Sequence, residues 1–119
     1  MSLKTILIVE DIELNIDLLV QLLEDNYKLL IARGGMEALR MIQNTNLDLV
    51  LMDISLPEID GYDVTGRARE TLPTLPIIGL SAHAMQGDRE KAIKAGFTDY
   101  LTKPIDETLL FEKLGQYLG

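Results

Sequence analysis

Five short apolar runs recur along the chain: Thr5 to Val9, Lys28 to Ala32, Asp48 to Met52, Pro76 to Leu80 and Thr98 to Leu101. Runs this short, bounded by turn residues, read as buried strands. Between them the apolar period changes to that of a helix. Leu14, Leu18, Leu19, Leu22 and Leu23 form one such row, read as core rather than as a zipper because it spans so few turns. Ala38, Leu39 and Ile42 mark a second helix, about Tyr62 to Glu70 a weaker third with Gly66 inside it, and residues 84–95 a fourth closed by Gly96. Asp106 is placed to cap the last, whose Leu109, Leu110, Leu114, Tyr117 and Leu118 point inward. Asp48 to Met52 is apolar at nearly every position after the first, as a strand covered on both faces must be.

Strict strand–helix alternation predicts an α/β fold, a (βα)5 doubly wound parallel sheet of five strands. The common layout for such a chain orders the strands 2-1-3-4-5. Strands 1 and 3 are then neighbours at the point where the chain reverses its direction across the sheet. The 119 residues suit one domain, expected to span 1–119.

Charge narrows the function classes. A net charge of −8 offers no basic surface for nucleic acid or for an anionic membrane. No cysteine is present, which excludes disulfides and thiolate metal sites. No apolar run is long enough to span a bilayer, and the first strand begins almost at the N-terminus, so neither a membrane segment nor a signal peptide is expected and a cytoplasmic location is the default.

Four of the five runs end in chemistry-bearing residues: Glu10-Asp11, Asp53, Ser81 and Lys103-Pro104. In a parallel sheet these strand ends open onto one crevice. Glu10, Asp11 and Asp53 carry −3 between them against +1 on Lys103. Like charges about 4 Å apart repel by roughly 4 kcal/mol at an effective dielectric near 20. Crowded carboxylates raise their pKa values or recruit a cation. An all-oxygen donor set suits Mg²⁺, and one such ion neutralises the cluster. The crevice can then take a phosphoryl group, with Asp53 as nucleophile, Ser81 as hydrogen-bond donor and Lys103 as counter-charge.

The segments ILIVED at 6–11, LVLMDISLPEIDGYD at 49–63, PIIGLSAHAMQGD at 76–88 and DYLTKPID at 99–106 closely resemble the receiver (CheY-like) domain of two-component response regulators. With the helical pattern, the resemblance covers essentially the whole chain. The SAHAM stretch looks most like receivers associated with hybrid sensor histidine kinases. The resemblance implies a flavodoxin/CheY-like fold and a role for each site residue. Asp53 matches the phosphoacceptor and Asp11 a direct Mg²⁺ ligand. Glu10 matches the acidic position that usually acts through water, and Ser55 the position whose backbone carbonyl binds the metal. Ser81 matches the switch hydroxyl, Lys103 the phosphate-neutralising lysine, Pro104 the proline of a cis bond and Tyr100 the switch aromatic. Ser55 and His83 stand where receivers tune phosphate lifetime. The implied donor is a sensor histidine kinase or a histidine phosphotransfer protein. An effector of unknown identity would bind the surface of helix 4, strand 5 and helix 5 around Ala84, Met85, Tyr100 and Pro104. The same surface is the candidate homodimer face.

Simpler readings exist for single residues. Glu10-Asp11 can cap the first helix, His83 can be an ordinary surface residue, and Gly34-Gly35 reads as a plain turn because it lacks P-loop spacing. The alternative function is a Mg²⁺-dependent phosphohydrolase with an aspartyl nucleophile. Hydrolases of the haloacid dehalogenase type carry a second Asp where this chain has Ser55, and they add a cap domain that 119 residues do not accommodate. A flavodoxin-like nucleotide or flavin binder would need glycine amides where Glu10-Asp11 stands. Stimulus, cognate kinase and output are not written in the sequence, nor is whether the molecule stands alone or is a piece of a larger chain.

Overall fold

The computed structural model describes residues 2–82 and 87–119. Ten elements alternate: β1 (Thr5–Val9), α1 (Glu13–Leu23), β2 (Lys28–Ala32), α2 (Gly35–Asn44), β3 (Leu49–Asp53), α3 (Gly61–Arg69), β4 (Ile77–Ser81), α4 (Asp88–Ala95), β5 (Asp99–Thr102) and α5 (Glu107–Leu118). The five strands are parallel in the order β2-β1-β3-β4-β5. The expected boundaries differ from these by one residue at most strand ends, the usual scatter at element termini. His83, Ala84 and Met85 lie outside the described residues, as does the start expected for the fourth helix.

Side chains alternate across the sheet into two cores. Ile6, Ile8, Leu49, Leu51, Ile78, Leu80 and Leu101 face α1 and α5. Leu7, Val9, Val50, Met52, Ile77 and Tyr100 face the α2–α3–α4 side. The strands β1, β3 and β4 are buried at every position except Thr5, which explains their unbroken apolar character.

Three expectations about helices are corrected. Leu14 and Leu18 are 76% and 48% exposed, while Leu19 and Leu23 are buried and Leu22 packs partly against them. The leucine row is broader than the stripe that meets the sheet, so part of it faces solvent. Leu109 is likewise 40% exposed, while Leu110 and Leu114 fill the inward face of α5. Gly34-Gly35 is no simple turn: Gly34 is the N-cap of α2 and Gly35 its buried first residue. Asp106 does cap α5, accepting from the Leu109 amide at 3.0 Å.

Gly61 brings the start of α3 against the end of β3. A β-carbon there would lie 2.7 Å from the Asp53 carbonyl oxygen and 2.9 Å from Ile54 Cα. The Gly61 amide donates to the Ile54 carbonyl at 2.9 Å, closing the loop that follows Asp53. Only glycine allows this approach.

Candidate functional site

The sheet order brings the predicted strand ends together. β1 and β3 are adjacent with Val9 beside Met52, so Glu10 follows β1 where Asp53 ends β3. Asp53 pairs in register with Leu80, and Ser81 with Thr102. The Lys103 amide donates to the Ser81 carbonyl at 2.7 Å, which fixes the lysine at the carboxyl edge of the sheet. The Lys103–Pro104 peptide is cis.

The ammonium of Lys103 lies 2.7 Å from Glu10 Oε1 and 3.3 Å from Asp53 Oδ2. Glu10 is wholly buried and Asp53 nearly so. The other Glu10 oxygen, Oε2, accepts from the amides of Asp11 at 3.0 Å and Ile12 at 3.3 Å. These bonds hold the turn ahead of α1. The N-cap residue Ile12 makes no side-chain cap bond, and neither Glu10 nor Asp11 makes the helix cap expected of the pair. Asp53 Oδ1 accepts from the Ser55 amide at 3.0 Å.

These contacts divide the acids by protonation. Burial pushes the Asp53 carboxyl up, and the adjacent Glu10 pushes it further, to about 6; the Ser55 amide and Lys103 act against this. Burial also opposes ionisation of Glu10, but its hydrogen bond to Lys103 and those to Asp53 and the backbone outweigh it, so Glu10 lies below its usual range. Burial would lower Lys103, yet Glu10 and Asp53 hold it above the ordinary lysine value. The Glu10–Lys103 pair is charged, and Asp53 is the group whose ionisation remains costly.

The donor set fits a hard divalent cation. Glu10, Asp11 and Asp53 each offer a carboxylate oxygen, and these oxygens lie within 4.8 Å of one another. None of the three is sulfur or imidazole, and Asp11 is exposed to solvent, which leaves room for the waters that Mg²⁺ retains. A cation there offsets the charge that burial makes costly at Asp53.

Ser81 is buried at the end of β4 on one side of Asp53. Tyr100 is 8% exposed and packed among the α2–α3–α4 core residues, facing inward. Sequence reasoning missed two polar centres. Asp99, 1% exposed, binds Arg89, Lys113 and Tyr117 from two helices. Its signal was a charged residue at the head of a short apolar strand, a placement strands disfavour. Arg69 donates to the carbonyls of Leu72, Leu75 and Gly96 and to Thr98 Oγ1, and no local sequence pattern marks it.

A doubly wound parallel sheet with an acid cluster, a lysine and a serine at its carboxyl edge defines an aspartate-centred α/β domain whose donor set fits a divalent cation. Residues 6–115 match the response regulator receiver domain, and the chain belongs to that family and functions in two-component signalling. It is 40% identical to the polar-differentiation response regulator DivK of Brucella ovis, across 98% of this chain and 97% of that one. The receiver domain of sensor histidine kinase PA1611 from Pseudomonas aeruginosa PAO1, solved with magnesium in its active site cleft, superposes with a TM-score of 0.89 at 37% identity, covering 99% of each chain. A co-crystal of the Saccharomyces cerevisiae histidine phosphotransfer protein Ypd1 with the receiver domain of Ssk1 contains a match at TM-score 0.90 and 28% identity, covering 98% of this chain and 89% of that one.

Proposed function

We propose that this receiver accepts a phosphoryl group on the Asp53 carboxylate from a phosphohistidine protein and so changes a partner-binding face. The observation that carries the reading is one nearly buried aspartate, pushed up to about 6, sharing a lysine with a second buried acid beside an exposed third. Asp53 attacks phosphorus as the carboxylate, and the imidazole of the donor histidine departs. Lys103 balances charge on the phosphoryl oxygens, and Ser81 donates to one of them. Asp11, Asp53 and the Ser55 backbone carbonyl would hold Mg²⁺, with Glu10 contributing from beside Lys103. Mg²⁺, when bound, shields the incoming phosphoryl charge from the carboxylates. Ser55 and His83 would set how long the acyl phosphate survives.

The chain's chemistry is limited to its own phosphorylation and dephosphorylation, which separates it from a hydrolase acting on free esters. The donor is a sensor histidine kinase or histidine phosphotransfer protein. Leu14 and Leu18, one turn apart on α1, are exposed and suit docking of a helical donor. Leu18 also lines a cleft with Glu10, Lys103, Pro104 and Ile105, next to the acceptor. The output face is that of α4, β5 and α5, with Tyr100 following Ser81. The domain spans 1–119 and works in the cytoplasm; among the described residues no helix is long and apolar enough to cross a membrane.

Incubation with Mg²⁺ and acetyl phosphate, followed by intact mass measurement, tests this. Gain of a single phosphoryl group, lost in Asp53→Asn, is the expected result. No gain, or steady turnover of free phosphate esters without a covalent adduct, overturns the proposal.

A further inference from the structure

The loop after Asp53 is boxed in by the sheet and two helices. The Ile54 amide donates to the Leu80 carbonyl of β4 at 3.0 Å, and the Gly61 amide returns to the Ile54 carbonyl at 2.9 Å. Ile59 is buried in the core on the α2–α3–α4 side. The start of α2 presses on it: a β-carbon at Gly35 would lie 2.4 Å from both Ile59 Cγ2 and the Ile59 carbonyl oxygen. Asp60 then caps α3, accepting from the Asp63 amide at 3.0 Å. Both ends of the loop are thereby fixed.

The path between those ends closes at Glu58. The Ile59 amide donates to the Pro57 carbonyl at 2.8 Å, which makes a three-residue turn centred on Glu58. Such a turn is rare and strained when its central φ is positive. Glu58 stands at φ +67°, the one non-glycine positive φ among the described residues. A side chain in that conformation is strained. Glu58 is exposed, so its side chain adds no core packing to offset the strain. On the other flank of the turn, the Ser55 amide donates to Asp53 Oδ1 at 3.0 Å. The strained residue and the backbone that touches the acceptor carboxylate therefore share one short segment.

We propose that Glu58 is a positioning residue for the metal site: its strained turn, fixed through Ile59 against Gly35 and through Gly61 against Asp53, holds the Ser55 backbone against the acceptor carboxylate. A residue with a β-carbon has few backbone conformations open to it, so the turn keeps one shape. Glycine would relieve the strain and at the same time free the segment from Ser55 to Glu58. The role belongs to the Glu58 backbone and not to its carboxylate. The inference rests on the proposed assignment of the Ser55 carbonyl as a ligand of Mg²⁺.

Calorimetric titration of the unphosphorylated full chain with Mg²⁺, comparing Glu58→Gly with Glu58→Ala, tests this, because both variants lack the carboxylate and only one keeps the β-carbon. Without metal, Glu58→Gly is expected to melt about 2–6 °C higher than Glu58→Ala. It is nevertheless expected to bind Mg²⁺ about three- to tenfold more weakly, the scale of one strained residue, and to exchange its Ser55 amide proton faster by a similar factor. Equal Mg²⁺ affinity in the two variants while wild type binds overturns the inference, as does Glu58→Gly melting below Glu58→Ala. Failure of wild type itself to bind Mg²⁺ overturns the metal-site reading, and this inference with it.

Discussion

Replacing Asp53 by Asn should stabilise the metal-free protein, although it removes the residue on which the proposed chemistry depends. In the folded chain burial and Glu10 raise the Asp53 carboxyl from 3.8 to about 6. Each tenfold change in proton affinity is worth about 1.4 kcal/mol, so keeping this group ionised costs the fold up to about 3 kcal/mol at neutral pH. Lys103 loses one of its two acid partners in the variant but keeps Glu10. The net gain is then about 1–2 kcal/mol, or about 4–8 °C in Tm for a chain of this size. The sign follows from proton binding. Between about pH 4 and 6 the native state holds the Asp53 proton and the unfolded chain has released it, so wild-type stability falls as pH rises through that window. Below it both states are protonated and the advantage of Asn vanishes. Urea unfolding of both proteins in EDTA at pH 4 and 7.5 measures this. Equal stability at pH 7.5, or a gain of the same size at pH 4, refutes the electrostatic account of the site. Adding Mg²⁺ should stabilise wild type and have a much smaller effect on the variant.

Lys103→Met leaves Glu10 and Asp53 buried without their shared cation; a loss of about 3–5 kcal/mol is expected at neutral pH in urea titrations without metal, shrinking as acid protonates both groups. Gly61→Ala forces a β-carbon to within 2.7 Å of the Asp53 carbonyl, and a loss of about 1–3 kcal/mol with shifted Asp53 and Ile54 amide resonances should follow. Asp106→Ala removes the acceptor for the Leu109 amide and should cost about 1 kcal/mol by thermal unfolding without altering metal affinity.

Element order, the parallel sheet and the convergence of Glu10, Asp11, Asp53, Ser81 and Lys103 were legible because each strand is a continuous apolar run and parallel topology carries every strand end to one edge. Which leucines of α1 and α5 face the sheet was not. Leu14 and Leu18 keep helical spacing with Leu22, and only docking on the sheet decides which side is covered. The division of labour inside the acid cluster was also beyond the sequence. Charge counting treats Glu10 and Asp53 alike, whereas the backbone amides of Asp11 and Ile12 and the nearer Lys103 contact hold Glu10 ionised and leave Asp53 raised. The roles of Asp99 and Arg69 were hidden for a different reason. Their partners come from elements brought near only by the finished fold, such as Gly96 for Arg69 and Tyr117 for Asp99.

The most direct test of the central claim is transfer from a labelled phosphohistidine protein to this chain in the presence of Mg²⁺. Stoichiometric label that hydroxylamine releases, as it does an acyl phosphate, that EDTA prevents and that Asp53→Asn does not acquire is the predicted result. Label that persists in Asp53→Asn, or its absence from wild type with a donor competent toward another receiver, contradicts the assignment of Asp53 as phosphoacceptor.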